Sequence, residues 1–232
     1  MNHINNDNPT IIIGCLGNSL TDGHPGFSSY WGGGNSQSQY QYWLKKLLKK
    51  DFGNTIQRYM IDIYFENRGI CGQITSQIKE RLYPSLIEYP FLKHKIDIII
   101  IVGGTNDLGW NLSINEIFEN LKEMHLTCLD EEITPIGATI PPTMFESTDR
   151  EYNRRKIQLN QRLIDFFETH NIAFADLYSN MGGKNGDLIV KYDVGDGLHF
   201  SVEGYRRMSE IIYQDAFRLT FQTLLKTLSN SN

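Results

Sequence analysis

Five short apolar runs alternate with amphipathic segments of helical spacing along this chain, and that alternation most restricts its fold. The runs fall at residues 11–16, 59–65, 96–102, 133–140 and 172–177. Each is too short for an ordinary buried helix. The most continuous, at 11–16 and 96–102, read as strands covered on both faces. Between the runs, Tyr40, Trp43, Leu44, Leu47 and Leu48 give residues 37–52 one apolar face. Ile74, Ile78 and Leu82 form a second stripe, which Pro84 is expected to break or kink. Ser113 and Glu116 have capping-box spacing and would open a helix buried through Ile114, Ile117, Phe118, Leu121 and Met124. Residues 150–169 and 201–225 read as further helices, and Pro141-Pro142 stops the fourth strand. Such alternation implies an α/β fold with a five-stranded parallel sheet and helices on both faces, the run at 96–102 lying centrally.

A length of 232 residues suits one domain with a full core, and no internal repeat or low-complexity linker divides it. The expected organisation is a single domain over 1–232, with flexible tails at 1–10 and 226–232. A net charge of −5 argues against a nucleic-acid partner. The basic run Lys45-Lys46-Leu47-Leu48-Lys49-Lys50 reads as the polar face of a helix. Three cysteines (Cys15, Cys71, Cys128) are too few for a disulfide scaffold, and Cys15, inside an apolar run, reads as a small buried hydrophobe. Residues 1–10 lack the basic start and apolar stretch of a signal peptide, and no apolar run is long enough to span a bilayer. A soluble, cytoplasmic protein without a membrane span is expected, although a chain whose leader had been removed would read the same.

Chemistry concentrates in four segments. Gly17-Asn18-Ser19-Leu20-Thr21-Asp22-Gly23 follows the first strand, Asn67-Arg68-Gly69-Ile70-Cys71-Gly72 the second, and Gly103-Gly104-Thr105-Asn106-Asp107 the third. Asp196-Gly197-Leu198-His199-Phe200-Ser201 precedes the last helix. Ligands of open α/β sheets bind beyond the carboxyl ends of the strands, so these loops would converge on one rim. A serine hydroxyl needs a base to take its proton during attack. His199 can be that base, and Asp196 can accept from its Nδ1–H and hold the tautomer. The backbone amides of Ser19 and Gly72 and the side-chain amide of Asn106 could donate to an oxyanion. Glycine at 72 would spare the close approach of backbone to substrate that a Cβ could block.

Together the four segments resemble the signature blocks of the SGNH hydrolases, the GDSL family of esterases and lipases, from about residue 11 to residue 205. The resemblance implies a three-layer α/β/α flavodoxin-like fold and a serine esterase that forms an acyl-enzyme. It assigns Ser19 as nucleophile, His199 as base, Asp196 as its orienter, and Ser19, Gly72 and Asn106 as the oxyanion hole. It implies no cofactor and no metal, and a small-molecule ester as substrate: a small acyl or aryl ester, a lipid ester or a thioester, with carbohydrate O-deacetylation as the alternative. The first block departs from the usual Gly-Asp-Ser-Leu in carrying Asn18, which can donate as well as accept.

Each residue alone has a plainer reading. Ser19 could be a loop serine or a helix N-cap, Asp196 and His199 half of a metal site, Gly72 a turn glycine, and Asn106-Asp107 a capping turn. Asp107 is expected to bond the loop rather than act as an acid. Cys71 is expected to be a bystander rather than a rival nucleophile, and His24 an exposed loop residue near the substrate. The remaining histidines lack zinc-ligand spacing. Aromatics at Phe27, Tyr30, Trp31, Trp110 and Phe145, with Met144, either line a substrate pocket or pack ordinarily against the core. Two rivals keep the fold without the chemistry: a binding protein whose loop at residues 17–23 cradles a phosphate-bearing ligand, and a pseudoenzyme.

Overall fold

The computed structural model describes residues 8–88 and 94–230. Residues 1–7 and 231–232 of the expected tails lie outside that range. Five strands form one parallel sheet: β1 (Thr10–Gly17), β2 (Asp62–Gly69), β3 (Ile98–Val102), β4 (Thr134–Ala138) and β5 (Ala173–Ala175), in the order β2-β1-β3-β4-β5. The chain steps outward from β1 to β2, then crosses back to β3 on the other side of β1. Such a reversal leaves a crevice beyond the strand ends. Register aligns that crevice: Gly17 at the end of β1 pairs with Gly69 of β2 and with Val102 of β3. The loops entering Asn18, Ile70 and Gly103 therefore leave the sheet side by side.

Alternate residues of the central strands feed two cores, as a pleated strand dictates. Ile11, Ile13, Cys15, Ile98 and Ile100 face the layer made by α1 (Tyr40–Arg58) and the C-terminal helices. Ile12, Leu16, Ile99 and Ile101 face α2 (Thr75–Glu80), α3 (Ile114–Asp130) and α4 (Arg150–Thr169). The four lysines of the basic run are exposed on α1. Burial drives the Cys15 and Cys128 thiols up to about 12, so both are inert small hydrophobes.

Several local expectations give way to tertiary context. The break expected at Pro84 does occur, but gently: α2 ends at Glu80 and the chain then winds a wide turn over Tyr83–Ile87, with Pro84 in its first turn, where a missing N–H costs least. Ser113 occupies the cap of α3 but makes no side-chain bond. Its carbonyl accepts from Ile117 N instead, and both Ser113 and Glu116 are exposed. The last helical region divides into α5 (Val202–Ile212), a wide turn at Tyr213–Phe217, and α6 (Arg218–Asn230). The fifth strand stops at Ala175 because Asp176 caps a short helix over Leu177–Met181, its carboxylate accepting from Ser179 N.

His125 carries a pH signature for the fold. It is buried on α3 against Phe166 and Phe167, with Nδ1 2.7 Å from the Leu121 carbonyl, so Nδ1 is the protonated nitrogen. Burial pushes its pKa down to about 4. An unfolded histidine titrates near ~6.5, so between the two values the unfolded chain binds the extra proton. Stability is therefore full above about 6.5 and falls progressively toward pH 4, by roughly 3 kcal/mol for this one side chain. Urea unfolding at a series of pH values is expected to show that slope in wild type and a flatter one in His125→Leu. An equal slope in both chains would assign the sensitivity elsewhere.

Candidate active site

Ser19 opens a single helical turn, Ser19–Asp22, that starts directly after β1. Its cap is Asn18, whose Oδ1 accepts from Leu20 N at 3.1 Å. The N-cap reading thus passes from Ser19 to its neighbour, and the Ser19 hydroxyl is left free for another partner. Asn18 is buried, where a neutral amide supplies the capping oxygen without a buried charge. Gly17 must be glycine for packing: a Cβ there would sit 2.2 Å from Thr21 Oγ1 and 2.4 Å from the Val102 carbonyl.

The loop before α5 delivers the histidine. Ser19 Oγ lies 3.0 Å from His199 Nε2, across 180 residues of chain. His199 Nδ1 lies 2.7 Å from Asp196 Oδ2. The other Asp196 oxygen accepts from the amides of Leu198 and His199 at 2.9 and 2.8 Å, fixing the carboxylate in its turn. Partial burial works against the Asp196 charge, but the His199 amide, the His199 ring and the Leu198 amide outweigh it and hold the carboxyl below its ordinary pKa. Ser201 caps α5 by accepting from Gly204 N, so the loop ends on a fixed point.

Gly72 and Asn106 leave the neighbouring strand ends. Gly72 has φ +78°, and nothing lies within 4 Å of where a Cβ would sit. The left-handed backbone therefore accounts for glycine here, rather than contact within the chain. Asn106 donates through Nδ2 to the Gln73 carbonyl at 2.8 Å, leaving its second amide hydrogen available. Asp107 accepts from Thr75 N at 2.9 Å and from Thr75 Oγ1 at 2.5 Å, joining the start of α2 to the loop after β3. Burial raises its pKa against those bonds. It is a loop anchor, as the sequence suggested.

Cys71 donates to Asp22 Oδ2 at 3.4 Å. Burial, then the Asp22 carboxylate, push its thiol up to about 11, which disfavours the thiolate a nucleophile needs. His24 is more engaged than an exposed loop histidine: its ring meets that of His199 edge-on, centroids 4.6 Å apart, and its carbonyl accepts from Tyr205 Oη at 2.7 Å. Partial burial, then the adjacent His199, hold its pKa below the usual histidine value. Beyond it, Asp22 accepts from Ser29 N and Oγ, at 2.9 and 2.6 Å, and pins a two-residue ribbon, Phe27–Ser28 with Gly33–Gly34. Tyr30 and Trp31 at its tip are 85% and 83% exposed, and Trp110 is 74% exposed, so these three rings are not core packing. Met144 N bonds the Gly197 carbonyl at 2.9 Å, bringing the loop after β4 onto the histidine loop.

Among the described residues no group of three or more His, Cys, Asp or Glu side chains is placed to hold a metal ion. Among the described residues, likewise, no helix is long and apolar enough to cross a membrane. What the arrangement offers is a hydroxyl against an imidazole, an imidazole against a carboxylate, and amide donors on adjacent loops. Those are the requirements of acyl transfer through a serine.

A family model for GDSL-like lipases and acylhydrolases matches residues 15–207. Axe2, an acetylxylan esterase from Geobacillus stearothermophilus, superposes with a TM-score of 0.70 at 20% identity, covering 88% of this chain and 93% of that one. A GDSL-like lipase from Bacteroides thetaiotaomicron superposes with a TM-score of 0.61 at 21% identity, covering 88% and 86%. An N-acylneuraminate cytidylyltransferase of Streptococcus agalactiae is 30% identical over 113 residues, which are 49% of this chain and 26% of that protein. The match thus spans about a quarter of that curated relative's length.

Proposed function

This chain belongs to the GDSL-like lipase/acylhydrolase family, and from that premise we propose that it hydrolyses carboxylic esters of small molecules through an acyl-enzyme on Ser19. The observation that carries the reading is the relay of two hydrogen bonds, 3.0 Å from Ser19 Oγ to His199 and 2.7 Å from His199 to Asp196. Ser19 Oγ attacks the ester carbonyl while His199 Nε2 takes its proton. Asp196, held anionic, stabilises the imidazolium that results. The amides of Ser19 and Gly72 and the free hydrogen of Asn106 donate to the oxyanion. The imidazolium returns its proton to the leaving alcohol, and water, activated by the same histidine, releases the acid.

A carbohydrate O-deacetylase is the second reading. It is favoured by the exposed Tyr30, Trp31 and Trp110 rings on loops that begin at the candidate site. Flat rings open to solvent suit the apolar face of a sugar better than they suit a buried acyl chain. The acetylxylan esterase among the similar structures fits that reading.

The test is a panel of p-nitrophenyl esters of rising chain length beside an acetylated sugar. Turnover of acetyl and propionyl esters, with a burst of nitrophenol equal to the enzyme present, is expected for an acyl-enzyme route. A kcat/KM on the sugar at least about tenfold above that on p-nitrophenyl acetate selects the second reading. No hydrolysis of any member rejects both, and flavin absorbance of the purified chain would then point to the ligand-cradling alternative.

A further inference from the structure

Arg81 follows directly on α2, half-buried, and each arm of its guanidinium has a different partner. Nη2 donates to the Gly17 carbonyl at 2.6 Å, Nη1 to the Arg68 carbonyl at 2.6 Å, and Nε to Gln73 Oε1 at 2.5 Å. Gly17 ends β1, two residues before Ser19. Arg68 lies next to last in β2, before the turn that carries Gly72. Gln73 is the residue whose backbone carbonyl receives Asn106 Nδ2. One planar cation therefore touches the strand end before Ser19, the segment of Gly72, and the anchor of Asn106. Among the described residues its acceptors are all neutral, and the nearby charge that acts on it is that of Arg68. Such a cation is seldom left without a carboxylate unless its geometry is required.

Resting on the esterase reading, we infer that Arg81 is the positioning residue of the oxyanion hole: its three bonds fix the Gly72 amide and the Asn106 amide relative to Ser19. The guanidinium fork alone can do this. A lysine ammonium is a point charge on a flexible stem and cannot hold three acceptors spread in one plane. Loosening the clip leaves the bonds from Ser19 to His199 to Asp196 intact, since none of those groups touches Arg81. The loss should therefore fall on stabilisation of the transition state and not on ground-state binding.

The test uses Arg81→Lys on the full chain, with p-nitrophenyl acetate as probe. Its kcat is expected to fall about 10²-fold, the scale of one lost oxyanion donor, with KM within about threefold of wild type. Combined with Asn106→Ala, the loss should be close to that of the worse single variant, because both act through the same donors. Gln73→Ala, which removes one arm's partner and spares the folded scaffold, should reproduce a smaller kcat loss with unchanged KM. Losses in Arg81→Lys and Asn106→Ala that multiply, a change confined to KM, or a wild-type kcat in Arg81→Lys overturns the inference while leaving the esterase reading intact. A wild-type chain that turns over no ester overturns both.

Discussion

Replacing Ser19 by alanine is expected to lower ester turnover by about 10⁴-fold or more and to abolish labelling by a fluorophosphonate probe. Wild type should gain the mass of one phosphonyl group, with the seryl hydroxyl displacing fluoride from phosphorus, and the variant should gain none. The substitution removes one oxygen from a residue that is 4% exposed and whose hydroxyl is bonded to His199. It does not touch the cap of the helical turn, because Asn18 supplies that oxygen. Alanine also suits a first helical position, so the fold should be kept and the loss should be chemical. Residual hydrolysis would reflect direct attack of water on the ester carbonyl, with the oxyanion donors stabilising the negative oxygen that forms. A variant that still forms the adduct, or keeps a tenth of wild-type turnover, would move the nucleophile to another residue.

Asp196→Asn is expected to cost about 10²–10⁴ in kcat with little change in KM. The variant keeps Oδ1, so the amides of Leu198 and His199 retain their acceptor and the turn should persist. What changes is the atom facing His199 Nδ1, now 2.7 Å from a carboxylate oxygen. An amide NH₂ there cannot accept the Nδ1 proton's bond. The ring then favours the tautomer that protonates Nε2, which is the nitrogen that must accept from Ser19. The carboxylate is partly exposed, so solvent can replace some of its effect, and the loss should fall short of that for Ser19→Ala. Because Asp196 is held below the ordinary carboxylate range, its protonation should limit wild-type activity only at pH below that range. Near-normal kcat in the variant, with an unaltered far-ultraviolet spectrum, would mean that another group orients His199.

The parts of the fold visible in the sequence were those set by side-chain periodicity. Residues 98–102 are continuously apolar and became the central strand; Tyr40, Leu44 and Leu48 recur at helical spacing and became the buried face of α1. Element ends were less visible because neighbours decide them. Tyr59, for instance, lies in the expected second strand but caps α1, and β2 begins only at Asp62, where pairing with Thr10 is available. The capping box at Ser113 failed for the same reason: α3 is anchored by the apolar face it buries, and its exposed start needs no side-chain bond.

The sequence named Ser19, Gly72, Asn106, Asp196 and His199, because acyl transfer demands particular functional groups, here in three glycine-bearing turns after strands and one loop before a helix. It missed the residues that hold those turns together. Gln73 acts partly through its backbone carbonyl, which no side-chain pattern reveals. Arg81 left a faint trace, a cation on the apolar stripe of Ile74, Ile78 and Leu82. Chemistry of residue types and repetition of apolar positions are local properties, and the sequence by itself determined them. Which strands became neighbours, that Gly17 ends level with Gly69 and Val102, and that a hydroxyl and an imidazole 180 positions apart meet at 3.0 Å were decided only by the tertiary structure. Those relations depend on how one sheet is threaded and registered, which buries apolar area and backbone hydrogen bonds across the whole chain at once.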